Sequence, residues 1–153
     1  MKKIFSKIIS GGQTGVDRAA LDVARELGLP IGGWCPKGRR AEDGPIDPSY
    51  PLQETLSSSY PVRTEQNVLA ADGTLILTRG RPQGGTNLTR KLARGALRPY
   101  LLVDLSVGEA VHVVQEWGGR NNIEILNVAG PRESEAPGIY DQAARFLKDL
   151  LLT

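Results

Sequence analysis

Two glycine-rich turns contain the residue types in this sequence that could bind an anion. The first turn, Ser-Gly-Gly-Gln-Thr-Gly at 10–15, follows an apolar stretch and precedes a helical pattern that begins at Val16. Glycines let the main chain approach a ligand closely, and the first N–H groups of a helix have no partner within it. The positive end of the helix dipole lies at the same place, so the backbone alone could bind a phosphate here.

A second turn repeats this arrangement later in the chain. Gly84, Gly85, Thr86 and Asn87 follow an apolar strand pattern and precede a second helical pattern. Thr86 and Asn87 could act as helix caps, but two adjacent glycines are entropically costly unless positive φ or close approach is required. We therefore expect both turns to contact one ligand that has more than one recognition point.

Several cationic side chains follow predicted strands, a distribution that suits a small anionic ligand. Arg18 lies in the first turn of a helix, where a cation opposes the dipole unless an anion compensates it. Trp34, Lys37 and Arg39 follow the second strand, where an aromatic ring could stack a planar heterocycle and the cations could hold its phosphate. Arg132 follows the last strand. The alternative is that Trp34 belongs to the core and the cations are solvated loop charges.

The remaining candidates point away from catalysis. Thr14 and Asp17 have the spacing of a capping box, with Thr14 as the N-cap and Asp17 in the role of the Glu or Gln. Cys35 could meet a soft metal, but a single cysteine is more often a small buried hydrophobe. His112 is expected on a helix surface, so no catalytic triad can be built around it. The residues expected to bind the ligand are Gly11, Gly12, Gln13, Thr14, Gly15, Arg18, Trp34, Lys37, Arg39, Gly84, Gly85, Thr86, Asn87 and Arg132.

Composition excludes several classes of protein. The chain has 153 residues, enough for one domain spanning 1–153 to bury a core without a disulfide or a structural metal. One cysteine indicates a reducing, cytoplasmic setting. We expect no signal peptide, because Lys7 breaks the first apolar stretch and no cleavage site follows it. We expect no membrane span, because no apolar run approaches about 20 residues. A net charge of +2 argues against general nucleic-acid binding.

Strand and helix patterns alternate five times along the chain. We expect strands at 7–10, 31–35, 73–78, 100–103 and 123–128, and helices at 16–27, 64–71, 88–97, 109–117 and 139–152. This alternation predicts an α/β fold, a single-domain Rossmann-like doubly wound parallel sheet of about five strands with helices on both faces. The order 2-1-3-4-5 would bring both glycine turns to the switch point of the sheet. A long loop at 36–61, with a helical turn at 53–58, could cover that crevice.

Several motifs together resemble one family across almost the whole chain. They lie, in order, at 10–22, 32–38, 63–67, 84–86 and 127–134. This combination is similar to the family named putative molybdenum carrier, whose best-known relatives are molybdenum-cofactor carrier proteins of green algae. The resemblance implies a Rossmann-like fold and the binding and protection of molybdenum cofactor (molybdopterin), a phosphorylated pterin. It also implies a homo-oligomer and a molybdoenzyme as recipient.

A more distant resemblance leaves an enzyme function open. The paired turns are similar to those of lysine-decarboxylase-like proteins and cytokinin-activating phosphoribohydrolases, which bind nucleoside monophosphates. Their Pro-Gly-Gly-x-Gly-Thr-x-x-Glu signature is incomplete here, because Thr89 stands where the glutamate would fall. In that alternative, Glu65 or Asp72 would supply the acid for hydrolysis of an N-glycosidic bond in a nucleotide.

Overall fold

A computed structural model describes residues 4–108 and 110–152. Its main sheet contains five parallel strands, β1 (Lys7–Ile9), β2 (Ile31–Gly32), β5 (Gly73–Thr78), β6 (Tyr100–Asp104) and β7 (Ile125–Ala129). A small parallel pair contains β3 (Trp34–Cys35) and β4 (Gln53–Glu54). The helices are α1 (Val16–Glu26), α2 (Tyr60–Ala70), α3 (Gly84–Gly95), α4 (Val111–Arg120) and α5 (Ile139–Leu152). The predicted Rossmann-like α/β fold is confirmed.

The core explains why the central strands are almost entirely apolar. Every residue of β5 is buried, and successive side chains of a strand point to opposite faces of the sheet. Leu75 and Leu77 belong to the main core with α1, α4 and α5, whereas Ile76 lies on the other face. Helices α1 and α4 both contact α5, and α2 contacts α3. None of the described helices is long and apolar enough to cross a membrane.

The order of the strands differs from the predicted 2-1-3-4-5. The sheet runs β2-β1-β7-β5-β6, so the last strand of the chain lies at its centre. Ile8 of β1 pairs with Leu126 of β7, and Thr74 of β5 pairs with Asn127 of the same strand. Local apolar patterning marks both β5 and β7 as strands covered on both faces, and it does not encode which of them is central.

Gly130, directly after β7, allows this central strand to fit between its neighbours. A Cβ at Gly130 would lie 2.3 Å from the carbonyl oxygen of Leu77 and 2.6 Å from Cγ2 of Val16. The end of β7 is therefore in close contact with both β5 and α1. Only a residue without a side chain can occupy this position without moving backbone atoms.

We expect Gly130→Ala to lower the free energy of unfolding by about 1–3 kcal/mol, the usual cost of overpacking a core. Equilibrium urea denaturation measures the change. Gly119→Ala in α4 is the matched control, because no atom lies within 4 Å of a Cβ built there and alanine favours a helix. An equal loss of stability in both variants would contradict the packing role of Gly130.

Several element boundaries differ from the sequence predictions. Helices α2 and α3 each begin four residues earlier than predicted, at Tyr60 and Gly84. The second predicted strand is divided into β2 and β3 by Gly33, whose φ is 130°. The predicted helical turn at 53–58 is wrong, because Gln53–Glu54 pairs with Trp34–Cys35 as β4. Glu109, where the fourth helix was predicted to begin, lies outside the described residues.

Candidate ligand-binding site

A cleft lies at the carboxyl ends of β1 and β7, beside the start of α3, and encloses about 100 Å³. Gly11 lines it from the turn after β1, the segment 127–130 lines it from β7, and Gly85 and Thr86 line it from the start of α3. The two glycine turns therefore border the same cleft, although β7 separates their strands. Helix α2 closes one side.

An ion pair forms part of the lining of this cleft. Nη1 of Arg63 lies 3.2 Å from Oδ2 of Asp17, and both side chains are buried. The backbone N–H of Gln13 donates to the same carboxylate oxygen at 3.4 Å. Burial raises the pKa of Asp17 to about 6, although the Arg63 guanidinium opposes this shift. Asp17 thus accepts from the turn preceding its own helix while it also anchors Arg63. The predicted capping box with Thr14 is wrong, because the N-cap of α1 is Gly15 and no side chain caps the helix.

Arg63 has donor capacity beyond this pair. Its Nε reaches only the carbonyl oxygen of Tyr60, at 3.5 Å, and no described residue accepts a hydrogen bond from its Nη2. A Cβ at Gly11 would lie 2.0 Å from Nη1 of Arg63, so the glycine lets the guanidinium lie directly against the β1 turn. The first glycine turn therefore positions an arginine. Its backbone N–H groups at Gly12, Gln13 and Thr14 already donate to side chains of the protein, contrary to the prediction that they bind a ligand.

The side chain of Gln13 provides an unpaired donor. Its Oε1 accepts from the backbone N–H groups of Thr14 at 3.1 Å and Glu42 at 2.8 Å, which fixes the orientation of the amide. Its buried Nε2 has no hydrogen-bond partner among the described residues. Buried polar atoms in native proteins nearly always have a partner, so this donor suits a bound ligand.

A polar stripe on α2 faces the cleft. Tyr60, Arg63, Thr64 and Asn67 all line it, with the i, i+3, i+4, i+7 spacing of one helical face. The amide of Asn67 also fixes the neighbouring strand, because it accepts from the N–H of Trp34 at 2.8 Å and donates to its carbonyl at 2.9 Å.

Comparison with known proteins identifies the family of the chain. The model of the circularly permutated YpsA SLOG family matches residues 8–151. The chain belongs to this family. A solved structure from Syntrophus aciditrophicus SB, named putative molybdenum carrier protein, is 44% identical and has a TM-score of 0.96. The alignment covers all of this chain and 98% of that one. No curated protein matches the chain. The family resemblance seen in the motifs is confirmed.

In this YpsA-type domain, the predicted ligand-binding residues fall into two groups. The cleft is lined by Gly11, Gln13, Gly85, Thr86 and Arg132. The others do not line it; they are Gly12, Thr14, Gly15, Arg18, Trp34, Lys37, Arg39, Gly84 and Asn87. Cleft-lining residues outside the predicted set include Asp17, Tyr60, Arg63, Thr64, Asn67, Thr89, Asn127 and Glu135. Four of these residues, those on α2, share the spacing of one helical face, and this pattern is the sequence signal that could have predicted them.

Arg18 faces the protein instead of the cleft. Its Nη1 lies 2.9 Å from Oδ2 of Asp43, and its Nε and Nη2 donate to the carbonyl oxygen of Gly12 at 3.0 and 2.9 Å. Hydrogen bonding to Arg18 lowers the pKa of the Asp43 carboxyl. The anion that compensates this cation at the helix start is therefore a carboxylate of the protein.

Arg39 holds the long segment after β3 together. Its guanidinium donates to four backbone carbonyls, those of Ile46 at 2.9 Å, Leu52 at 3.2 Å, Asp47 at 2.9 Å and Tyr50 at 2.8 Å. Ile46 and Leu52 pack with Leu21 of α1 in a second small core. A Cβ at Gly12 would also meet these two side chains, at 2.9 and 2.6 Å.

We expect Arg39→Ala to lower the free energy of unfolding by about 2 kcal/mol, because four carbonyls lose a charged donor and water replaces only part of it. Limited proteolysis should show faster cleavage within 36–61. Lys37→Ala is the matched control, because Lys37 is exposed on the same segment. Equal proteolysis of both variants would contradict this role of Arg39.

Other groups with chemical potential lie apart from the cleft. A broad hollow of about 430 Å³ is lined by Thr14, Gly15, Arg18, Asp22, Tyr50, Glu133 and Tyr140. The hydroxyls of Tyr50 and Tyr140 both donate to Asp22, the former at 2.6 Å, so its polar groups already bind one another. Burial, followed by the hydrogen bond to Asp22, raises the pKa of Tyr50 to about 12.

The two acids named for the hydrolase alternative also lie elsewhere. Glu65 lines a groove between α2 and α3, and Oδ2 of Asp72 accepts from the N–H groups of Glu124 and Ile125 at 3.1 and 2.8 Å. Burial raises the pKa of the Cys35 thiol, which disfavours the thiolate that a metal would need. Within 4–108 and 110–152, no group of three or more His, Cys, Asp or Glu side chains could hold a metal ion.

Proposed function

We propose that this protein binds molybdenum cofactor, a phosphorylated pterin, and that it carries and protects this cargo. The observation that supports the proposal most is the donor set of the cleft. Among the described residues, no acceptor binds Nη2 of Arg63 or Nε2 of Gln13, and Gly85 and Thr86 at the start of α3 line the same cleft. The name of the 44% identical relative supports molybdenum as the cargo.

The residues present fit an anionic group. A volume of about 100 Å³ is below the usual ligand-site range of about 300–1,000 Å³, so it suits one compact end of a ligand such as a phosphate. Arg63 would bind that phosphate by charge-assisted hydrogen bonds, and Gln13 and the α3 turn would orient it. Arg132, which lines the cleft beside Glu135, would contact the part of the ligand nearer the mouth.

A titration tests this proposal directly. Molybdenum cofactor is added anaerobically to the wild-type protein and to Arg63→Gln, which keeps an amide donor for Asp17. We expect Arg63→Gln to bind the cofactor about 10- to 150-fold more weakly than the wild type, which corresponds to the loss of one charge-assisted hydrogen bond. Arg145→Gln, at an exposed cation on α5, is the control and should bind as the wild type does. Equal affinity in all three proteins would refute the site.

A nucleotide hydrolase remains a second candidate because of one observation. Asp17 lines the cleft and its pKa, about 6, is in the range useful for a general acid or base. Incubation of the protein with nucleoside monophosphates tests this candidate. Release of free base that is lost in Asp17→Asn would favour the hydrolase, and no release would leave the carrier as the better proposal.

Assembly and delivery complete the proposal. We propose a homo-oligomer that passes its cargo to a molybdoenzyme, as the family resemblance implies. The single cysteine supports a cytoplasmic setting. Size-exclusion chromatography with light scattering measures the number of subunits. Activation of a cofactor-free molybdoenzyme by the loaded protein tests delivery, and activation no faster than by free cofactor would refute it.

A further inference from the structure

The ring of Tyr60, which lines the cleft, is surrounded by cations from three parts of the chain. The Cζ atoms of Arg40, Arg63 and Arg132 lie 4.5, 5.3 and 5.4 Å from its centroid. Each Cζ atom lies within 5.4 Å of the ring centroid, so no two of these atoms can be further apart than twice 5.4 Å. At such separations like charges repel, and salt screens them only in part.

Protein carboxylates compensate two of these three charges. Arg63 pairs with Asp17 at 3.2 Å, and Nε of Arg132 pairs with Oε1 of Glu135 at 2.7 Å. No carboxylate among the described residues lies within ion-pair distance of Arg40, which is exposed. One positive charge beside the Tyr60 ring is therefore left for an external anion.

The positions of these cations define two candidate binding positions for an anionic group, an inner one in the cleft and an outer one outside it. Arg63 is buried in the cleft, whereas Arg40 is exposed and lies outside the cleft lining. The cleft holds only one compact group, so a longer ligand must extend out of it. The Tyr60 ring contacts both the buried Arg63 and the exposed Arg40, which makes its surroundings a suitable path. There it would meet Arg40 and Arg132, which both contact the Tyr60 ring.

We propose that Arg40, Tyr60 and Arg132 form a second anion subsite, and that the preferred ligands carry two linked anionic groups, as a diphosphate does. The inner group binds at Arg63, and the outer group binds at Arg40 and Arg132. The Tyr60 ring holds the outer cations by cation–π contacts. This inference rests on the proposed function for its inner subsite and extends it to the class of ligand.

Calorimetric titration with inorganic phosphate and with pyrophosphate tests the outer subsite. We expect wild-type protein to bind pyrophosphate at least tenfold more tightly than phosphate. Arg40→Gln should lose about tenfold in pyrophosphate affinity and less than twofold in phosphate affinity, because only the outer group contacts this residue. Arg145→Gln removes the same charge from α5 and should leave both affinities unchanged.

The outcomes separate this inference from the proposed function. Phosphate binding that Arg40→Gln weakens as much as pyrophosphate binding, or a wild-type protein that binds both anions equally, would overturn the outer subsite and leave the inner one intact. Phosphate binding that Arg63→Gln does not change would overturn the inner subsite and the outer one with it. Circular dichroism checks that the exposed Arg40→Gln variant is folded.

Discussion

Arg63→Ala is expected to lower the free energy of unfolding by about 3–5 kcal/mol at pH 7, because it leaves the buried Asp17 carboxylate without its partner. The loss should be smaller at pH 4. Loss of the guanidinium raises the pKa of Asp17 further, so at pH 4 the variant buries a neutral acid and no unpaired charge. Urea denaturation at both pH values measures the two losses.

The control for this prediction is Arg145→Ala, which removes an exposed cation from α5 and should change stability by less than about 0.5 kcal/mol at either pH. An identical loss for Arg63→Ala at pH 4 and pH 7 would mean that the contacts of the arginine, and not the charge of Asp17, account for its effect.

Asp17→Asn should gain stability relative to the wild-type protein as the pH rises from 4 to 7. The pKa of Asp17 in the folded protein, about 6, lies above its ordinary value of 3.8. The folded state therefore holds the proton more tightly, and this contribution to stability is complete below pH 3.8 and is lost as the pH passes 6. A shift of this size corresponds to about 3 kcal/mol.

Unfolding curves of both proteins across this pH range give the difference directly, which cancels the contributions of other carboxyl groups. Asp141→Asn, at an exposed carboxylate in the first turn of α5, is the matched control. A difference between Asp17→Asn and wild type that stays constant from pH 4 to pH 7 would contradict a raised pKa for Asp17.

Local patterns in the sequence were sufficient for the elements with the strongest periodicity. Strand β5, Gly73–Thr78, and helix α5, Ile139–Leu152, have the predicted bounds. An unbroken apolar run and a regular apolar face are signals that neighbouring residues carry by themselves. The glycine turn between β1 and α1 is recognisable for the same reason, whereas Gly84 and Gly85, predicted as a turn before the third helix, are the first residues of α3.

Features that depend on distant residues could not be predicted in this way. Arg18 binds Asp43, which is 25 positions away, and Arg39 binds carbonyls of the loop that it organises. Nothing in the immediate neighbourhood of either arginine distinguishes such a partner from a ligand. Arg63 was missed because α2 was predicted to begin at Thr64, which hid its place on the cleft face of that helix.

The central position of β7 has a consequence for the way the chain is made. During synthesis, β1 and β5 leave the ribosome well before Ile125–Ala129, yet neither can acquire its inner hydrogen-bonding neighbour until that segment appears. The nascent chain therefore keeps two unpaired strand edges open, which are templates for wrong association. Completion of the sheet in this domain is a late event, and it requires contacts between segments separated by more than a hundred positions.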